Sequence, residues 1–392
     1  MRPVYIASDN IITSLGASTF ANMEALKAGQ IGIRMTSDLN LFPSPLPLSL
    51  VDSELLEEQF LYILKYYKKN VGPTAYTRLE KLLIISIHDA ISQISQNFND
   101  PGTLFVLSTT KGNIDLLEER YKTQFQHRRI YLWEMAKTVG DFFGFANTPL
   151  IISNACISGI MALMTAFRYL RMGMYDQAVV SGGDILSEFV ISGFQSFQSI
   201  SSTPCRPYDI GRDGLSLGEG AGTMVLTTGI EKNSGSLVRI GGAATSNDAN
   251  HISGPSRTGE ELGFAFTDAM KEAALSPGDI GFINAHGTAT PFNDEMESKA
   301  IGEAGLLESP VNSFKGYWGH TLGAAGLIES VASVHALQDQ MLIRSAGFES
   351  LGVSEHIRVI AANEKKKMSS CLKSASGFGG CNAAIIFEKD NV

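Results

Sequence analysis

Along the chain, short runs rich in β-branched and apolar residues alternate with longer stretches of helical pattern. The short runs predict strands at Thr103–Ser108, Leu150–Ser153, Ala178–Ser181, Thr223–Thr228, Val238–Ala243 and Gly281–Ala285. Later strands are expected at Ile357–Ala361, Cys371–Ser374 and Ala383–Phe387, and the opening MRPVYIASDN reads as a first one. The longer stretches predict helices at Ile157–Arg171, Glu260–Ala274, Asp294–Gly302 and Ala324–Asp339. Such alternation defines an α/β protein. The polar, turn-rich link Gly229–Ser236 (GIEKNSGS) separates an N-terminal half, residues 1–232, from a C-terminal half, residues 233–392. No sequence repeat relates the two.

Composition narrows the class. At 392 residues the chain can bury a large core, and 44% hydrophobic against 18% charged residues is the balance of a soluble globular enzyme. No apolar run reaches the length of a membrane span, and the first residues lack a signal-peptide core. The four cysteines (Cys156, Cys205, Cys371, Cys381) show no paired close spacing, so neither a zinc site nor a disulfide framework is suggested, and a reducing cytoplasm is expected. A net charge of −9 argues against nucleic acid as the main partner and obliges any acidic partner to meet a local basic patch. Glycines cluster in SGGD, GRDGLSLGEGAG, RIGGAA and SGFGG, as tight turns and close backbone approach require. Lys365–Lys367 reads as a solvated loop.

Three loops can carry chemistry. Cys156 stands where the strand-like IISNAC turns into a helix with almost no polar face. There the helix dipole favours the thiolate, the reactive form. Alone, it reads rather as a buried, inert cysteine; partners reverse that. His286, in INAHGTATPFND, and His320, in NSFKGYWGHTLGAAG, each follow a strand in a loop of small residues. His88, His127, His251, His335 and His356 lack such a setting and read as structural. A cysteine and two histidines in three post-strand loops suggest one site at the end of a sheet. That is chemistry for cysteine acylation, and spacing alone leaves a cysteine hydrolase open.

The motifs NACISG, RPYDIGRDGLSLGEGAG, NDANHISGP, HGTATPFNDEME, FKGYWGHTLGAAGLIE and SGFGGCNAA, in this order, resemble the β-ketoacyl-acyl-carrier-protein synthases of the thiolase-fold superfamily, in their Cys-His-His elongation branch. The resemblance implies a five-layered α-β-α-β-α fold of two similar halves and decarboxylative Claisen condensation of a Cys156-bound acyl group with malonyl-acyl carrier protein. It implies that Cys156 is the nucleophile, with the backbone N–H groups of Cys156 and Phe378 as oxyanion hole. His286 and His320 would hold the malonyl thioester oxygen, supported by Lys315, with Asp294 and Glu297 anchoring the network around Lys315. Thr288 and Thr290 match the pair that contacts the phosphopantetheine arm, and Phe378 matches the gate between acyl and malonyl pockets. No cofactor is implied beyond the carrier's phosphopantetheine. The partners implied are acyl carrier protein and a second subunit, in a homodimer or a heterodimer with a related chain. Fatty-acid elongation and specialised polyketide or polyene assembly use the same site.

Departures from the family pattern bear on substrate. Ser376 replaces a phenylalanine, Cys381 a threonine, and STTKGN places Lys111 near the acyl pocket of a dimer mate, which disfavours a plain long saturated primer. Some relatives bind a structural cation at positions matching Asn284 and Glu329, but Lys373 and Ser374 replace other ligands, so no metal is assigned. Carrier docking is expected at Arg78, Lys81, Arg128 and Arg129, with Lys65, Lys68 and Lys69 behind them. A thiolase is disfavoured by the HGT motif at His286. A chain-length-factor partner subunit is disfavoured by retention of Cys156, His286, His320 and Lys315. A dinucleotide enzyme fails because GEGAG precedes a strand.

Overall fold

The computed structural model describes residues 2–37, 44–121, 124–229, 237–249 and 254–390. The proposed seam at Gly229–Ser236 therefore lies, except for Gly229, outside the described residues, as does His251.

In the N-terminal half the strands of the main sheet are β1 (Tyr5–Ile12), β2 (Thr103–Ser108), β3 (Leu150–Ile152), β4 (Gln177–Asp184) and β5 (Gly220–Thr227). In the C-terminal half the strands of that sheet are β6 (Val238–Asn247), β7 (Ile283–Asn284), β8 (Pro310–Asn312), β9 (Arg358–Val359), β10 (Ser370–Gly377) and β11 (Cys381–Lys389). Pairing repeats between the halves although sequence does not. In the first, β1 pairs antiparallel with β5 and β5 with β4, after which β4, β2 and β3 run parallel. In the second, β6 pairs antiparallel with β11 and β11 with β10, after which β10, β7, β8 and β9 run parallel. A single pair, Tyr5 with Arg239, joins β1 to β6 and makes one eleven-stranded sheet of the two.

Helices complete a thiolase-like, five-layered α/β fold of two similar halves. An outer layer, built on α1 (Arg78–Ile91), covers β1, β4 and β5. Two helices, α2 (Ser158–Arg171) and α4 (Ala325–Gln338), form the middle layer between the halves, and α3 (Glu260–Ala273) covers β6 and β11 on the far side. The sequence sets this order. Nearly every residue of α4 is buried, as an apolar AGLIESVASVHALQ requires, whereas α3 buries one face through Leu262, Phe266, Ala269 and Met270. Strand β2 is buried along its whole length, which is why it reads as an unbroken apolar run.

The middle layer fixes the site. A Cβ on Gly159 would stand 2.5 Å from the backbone nitrogen of Leu327, and one on Gly326 would stand 2.8 Å from that of Ile160. Only glycine lets α2 and α4 approach this closely. Their starts, and the loops feeding them, are thereby brought together.

Candidate active site

Cys156 follows β3, and the segment holding Lys315 and His320 follows β8, the equivalent third strand of its half; His286 follows β7. All three loops leave the carboxyl ends of parallel strands, where open α/β sheets form their crevices. Ala155, just before the cysteine, is held at φ 43°, a strained conformation for a residue with a Cβ. Ser158 braces this turn, donating to the Ala155 carbonyl (2.6 Å) and accepting from the Asn154 amide (2.8 Å). On the facing side, His320 donates its backbone N–H to Ser216 (2.7 Å) and accepts from Gly218 (3.0 Å). The motif GLSLGEG thus pins the loop that carries the histidine.

The structure brings Cys156, His286 and His320 together, all buried, with their ligating atoms within 4.8 Å of one another. His320 Nε2 lies 3.0 Å from Cys156 Sγ, and the two imidazoles meet edge to face at 5.2 Å. This trio is compact enough to hold a soft metal ion. It is equally the arrangement of a nucleophile with two polarising rings.

Burial pushes the Cys156 thiol up to about 12, against the opposing pull of Lys315 and Lys111. This corrects the expectation that the helix dipole yields a resting thiolate: Cys156 precedes α2 by two residues, and desolvation outweighs the dipole there. Burial, followed by the nearby Lys315, also holds both imidazoles well below their ordinary value. The resting pair is a neutral thiol against a neutral imidazole.

Four carboxylates organise the floor. Glu297 accepts the backbone N–H groups of His286 (2.7 Å) and Gly287 (2.8 Å), the Tyr208 hydroxyl (2.6 Å) and the Ser374 hydroxyl (2.7 Å). Asp294 accepts from the amides of Tyr208 (2.7 Å) and Ala289 (3.2 Å). Neither carboxylate pairs with Lys315 directly; Glu297 reaches it through His286, whose N–H it accepts and whose carbonyl accepts from Lys315. The direct pairing falls to Glu329 (2.7 Å), while Lys315 also donates to the His286 carbonyl (2.7 Å). Asp184, unremarked in the sequence, accepts from Thr109 (2.8 Å) and from the Gly323 amide (2.7 Å), clamping the start of the His320-side helix to the end of β2.

A cavity of about 380 Å³ opens from Cys156, His286 and His320 past Thr288, Thr290 and Phe378. The two threonine hydroxyls bond each other at 2.9 Å. Phe378, part-exposed, packs its ring against Phe194 (5.8 Å) and Phe197 (5.1 Å). Gly377 passes so near the nucleophile that a Cβ there would lie 3.1 Å from the Cys156 nitrogen, so the Phe378 turn and the Cys156 amide share one corner. Ser376 lines the cavity with its hydroxyl bonded to Asn382 (2.8 Å), whereas Lys111 is exposed and outside the lining.

Three of the four docking candidates are ion-paired within the chain. Arg78 pairs with the buried Glu219, Arg129 with the buried Glu80, and the mostly buried Lys81 with Glu57. Two of these charges are spent on internal carboxylates and the third on the half-exposed Glu57. Arg128 alone keeps an exposed guanidinium, lying 5.4 Å over Trp133 and 2.7 Å from Glu134.

Residues 112–231 match the family model for the N-terminal domain of beta-ketoacyl synthase, and residues 237–349 match that for its C-terminal domain. The chain is 34% identical to the 3-oxoacyl-acyl-carrier-protein synthase 2 of Mycobacterium bovis over 247 residues, 60% of this chain and 59% of that protein. The alignment thus spans about three-fifths of such a curated relative. Among solved structures, a chain of the ketosynthase ApeO in complex with its chain length factor ApeC, from Xenorhabdus doucetiae, superposes with a TM-score of 0.84 at 25% identity, covering 99% of this chain and 98% of that one. A chain of AntDE:AntF, a type II acyl-carrier protein in complex with its ketosynthase bound to a hexaketide, gives 0.83 at 20% identity over the whole of both chains.

Proposed function

The chain belongs to the β-ketoacyl synthase family, and on that premise we propose that it is a condensing acyltransferase, a 3-oxoacyl-acyl-carrier-protein synthase of fatty-acid or polyketide assembly. The observation that carries this reading is the contact of Cys156 with His320 at 3.0 Å, with His286 beside them at the end of the cavity.

In the first half-reaction, Cys156 Sγ, beside the Nε2–H of His320, attacks the thioester carbon of the primer as its proton is relayed to the departing sulfur. The N–H groups at the Cys156 and Phe378 corner receive the oxyanion. Collapse breaks the bond to the carrier's sulfur, which departs with that proton. Proton transfer concurrent with attack suits a buried thiol whose resting form is neutral.

In the second half-reaction a malonyl thioester enters along Thr288 and Thr290. The carbon–carbon bond to its carboxylate breaks, carbon dioxide leaves, and the electron pair becomes an enolate whose oxygen is held by His286 and His320. Neutral imidazoles suit this role, since they donate hydrogen bonds to developing charge without protonating the carbanion. The enolate carbon attacks the Cys156-bound acyl carbon, and collapse releases a thiolate that takes its proton from solvent. Lys315, fixed between Glu329 and the His286 carbonyl, keeps both rings neutral.

The partner proposed is an acyl carrier protein, whose pantetheine arm would enter the cavity that ends at Cys156, and the assembly a homodimer, or a pair with a related subunit. No helix among the described residues is long and apolar enough to cross a membrane, and we place the reaction in the cytoplasm. The test is incubation with an acyl-carrier primer and malonyl carrier. One carbon dioxide per 3-oxoacyl product supports the reading; hydrolysis of the primer without condensation would replace it with a cysteine hydrolase.

A further inference from the structure

The family's structural cation provides a test of fit, because this chain carries a charged side chain where such an ion would be held. Lys373 lies on β10 and is fully buried. Its ammonium pairs with Glu329 Oε2 at 2.6 Å and donates to the Ser374 carbonyl at 2.6 Å, with the carbonyls of Ala285 and Asn284 at 3.4 and 3.5 Å. One carboxylate oxygen and three main-chain carbonyls around a desolvated positive charge are the ligand set of a bound monovalent cation. A metal ion drawn to the same oxygens would stand against the ammonium and be repelled by it. The residues present therefore do not fit a metal.

We propose that Lys373 is a built-in cation: its ammonium occupies, as part of the chain, a site shaped for a monovalent ion, and it positions His286 and Lys315 through Glu329 and the carbonyls that end β7. The connection is short. Glu329 receives Lys373 on one oxygen and Lys315 on the other, and Lys315 donates to the His286 carbonyl. Ala285, one of the carbonyl partners, immediately precedes His286. Removing the ammonium leaves half of a buried carboxylate and three carbonyls without their partner, a change felt directly by the loop that carries His286. Lys373 touches no substrate in this scheme. It is a positioning residue.

The packing claim is independent of the reaction, whereas its effect on rate rests on the proposed condensation, so the test reads both. Wild-type protein in buffers whose only monovalent cation is potassium, sodium, ammonium or choline, at equal ionic strength, should melt at one temperature and react at one rate. Lys373→Ala should melt lower in choline and recover in potassium or ammonium, which fit the vacated site. Its malonyl decarboxylation should fall at least tenfold in choline and recover severalfold with the same two ions. In choline the acid limb of its pH–rate profile should also move up, because a positive charge near both imidazoles is gone; potassium should move it back. Lys373→Met, which fills the site without charge, should lose activity that no cation restores. A wild-type enzyme that needs potassium would overturn the proposal. So would a Lys373→Ala protein whose melting temperature is indifferent to the cation. A cation-dependent melt in a protein that condenses nothing would preserve the site and reject the function.

Discussion

Glu297→Gln is the substitution that most sharply probes how the site is held. The wild-type carboxylate accepts four hydrogen bonds in a fully buried place: His286 N–H and the Ser374 hydroxyl on one oxygen, Gly287 N–H and the Tyr208 hydroxyl on the other. Glutamine is nearly isosteric, but one of its ends is a donor. The two hydroxyls can turn and accept; the two backbone N–H groups cannot. Whichever way the amide lies, one of those N–H groups faces an NH₂: Gly287 N–H is then left unpaired, or His286 N–H keeps only its 3.2 Å bond to the Ser374 hydroxyl, at a cost of about 1–3 kcal/mol. The other bonds lose their charge assistance as well. A total loss of about 2–4 kcal/mol follows, a large fraction of the roughly 5–15 kcal/mol that holds a typical protein folded. His286 should shift with its loop, and a displacement near 1 Å costs a reaction about 10²-fold. Urea unfolding measures the first effect, and carbon dioxide release from malonyl carrier the second. Acyl loading of Cys156, which rests on the separately braced Cys156–His320 pair, should suffer less. A Glu297→Gln protein with the wild-type urea midpoint and wild-type decarboxylation would refute this account of the floor.

Gly159→Ala should separate the two middle helices, lowering stability by about 1–3 kcal/mol and slowing acylation of Cys156; an unchanged melt and rate would show that the helix crossing does not set the Cys156–His320 distance. His286→Ala and His320→Ala should slow malonyl decarboxylation far more than acyl loading, and in the wild type the acid limb of decarboxylation should lie well below about 6.5, because burial and Lys315 disfavour the imidazolium. A limb at the ordinary imidazole value would contradict the resting state described. Arg128→Glu should raise KM for carrier-bound primer and spare short pantetheine thioesters; equal effects on both would remove Arg128 from docking.

Much of this was legible in the chain because the nucleophile and both histidines sit in short, glycine-flanked segments directly after strands. Strand ends were less so. The stretch Gly281–Ala285 shortens to two paired residues, and β5 begins three residues early, at Gly220. Gly220 and Gly222 of GEGAG lie in this strand, where a side chain would press on β1 or on Ile328 of α4. Strand β8 has three residues, too few to show periodicity. The charges were hardest to place. Arg78, Lys81 and Arg129 look like surface residues until Glu219, Glu57 and Glu80 are seen beside them, and those carboxylates lie 141, 24 and 49 residues away. Glu329 and Lys373 are likewise distant in sequence and adjacent in the fold. Composition does not show which buried charge meets which. The thiol's resting state was misjudged for a related reason: a helix start is visible in sequence, and the depth at which it is buried is not.

The central claim is that Cys156 is the residue that carries the acyl group. Peptide mass spectrometry after incubation with acyl-carrier primer tests it most directly. The account predicts one acyl adduct, on Cys156, absent from Cys156→Ala; an adduct on Cys381 that persists in that variant would contradict it.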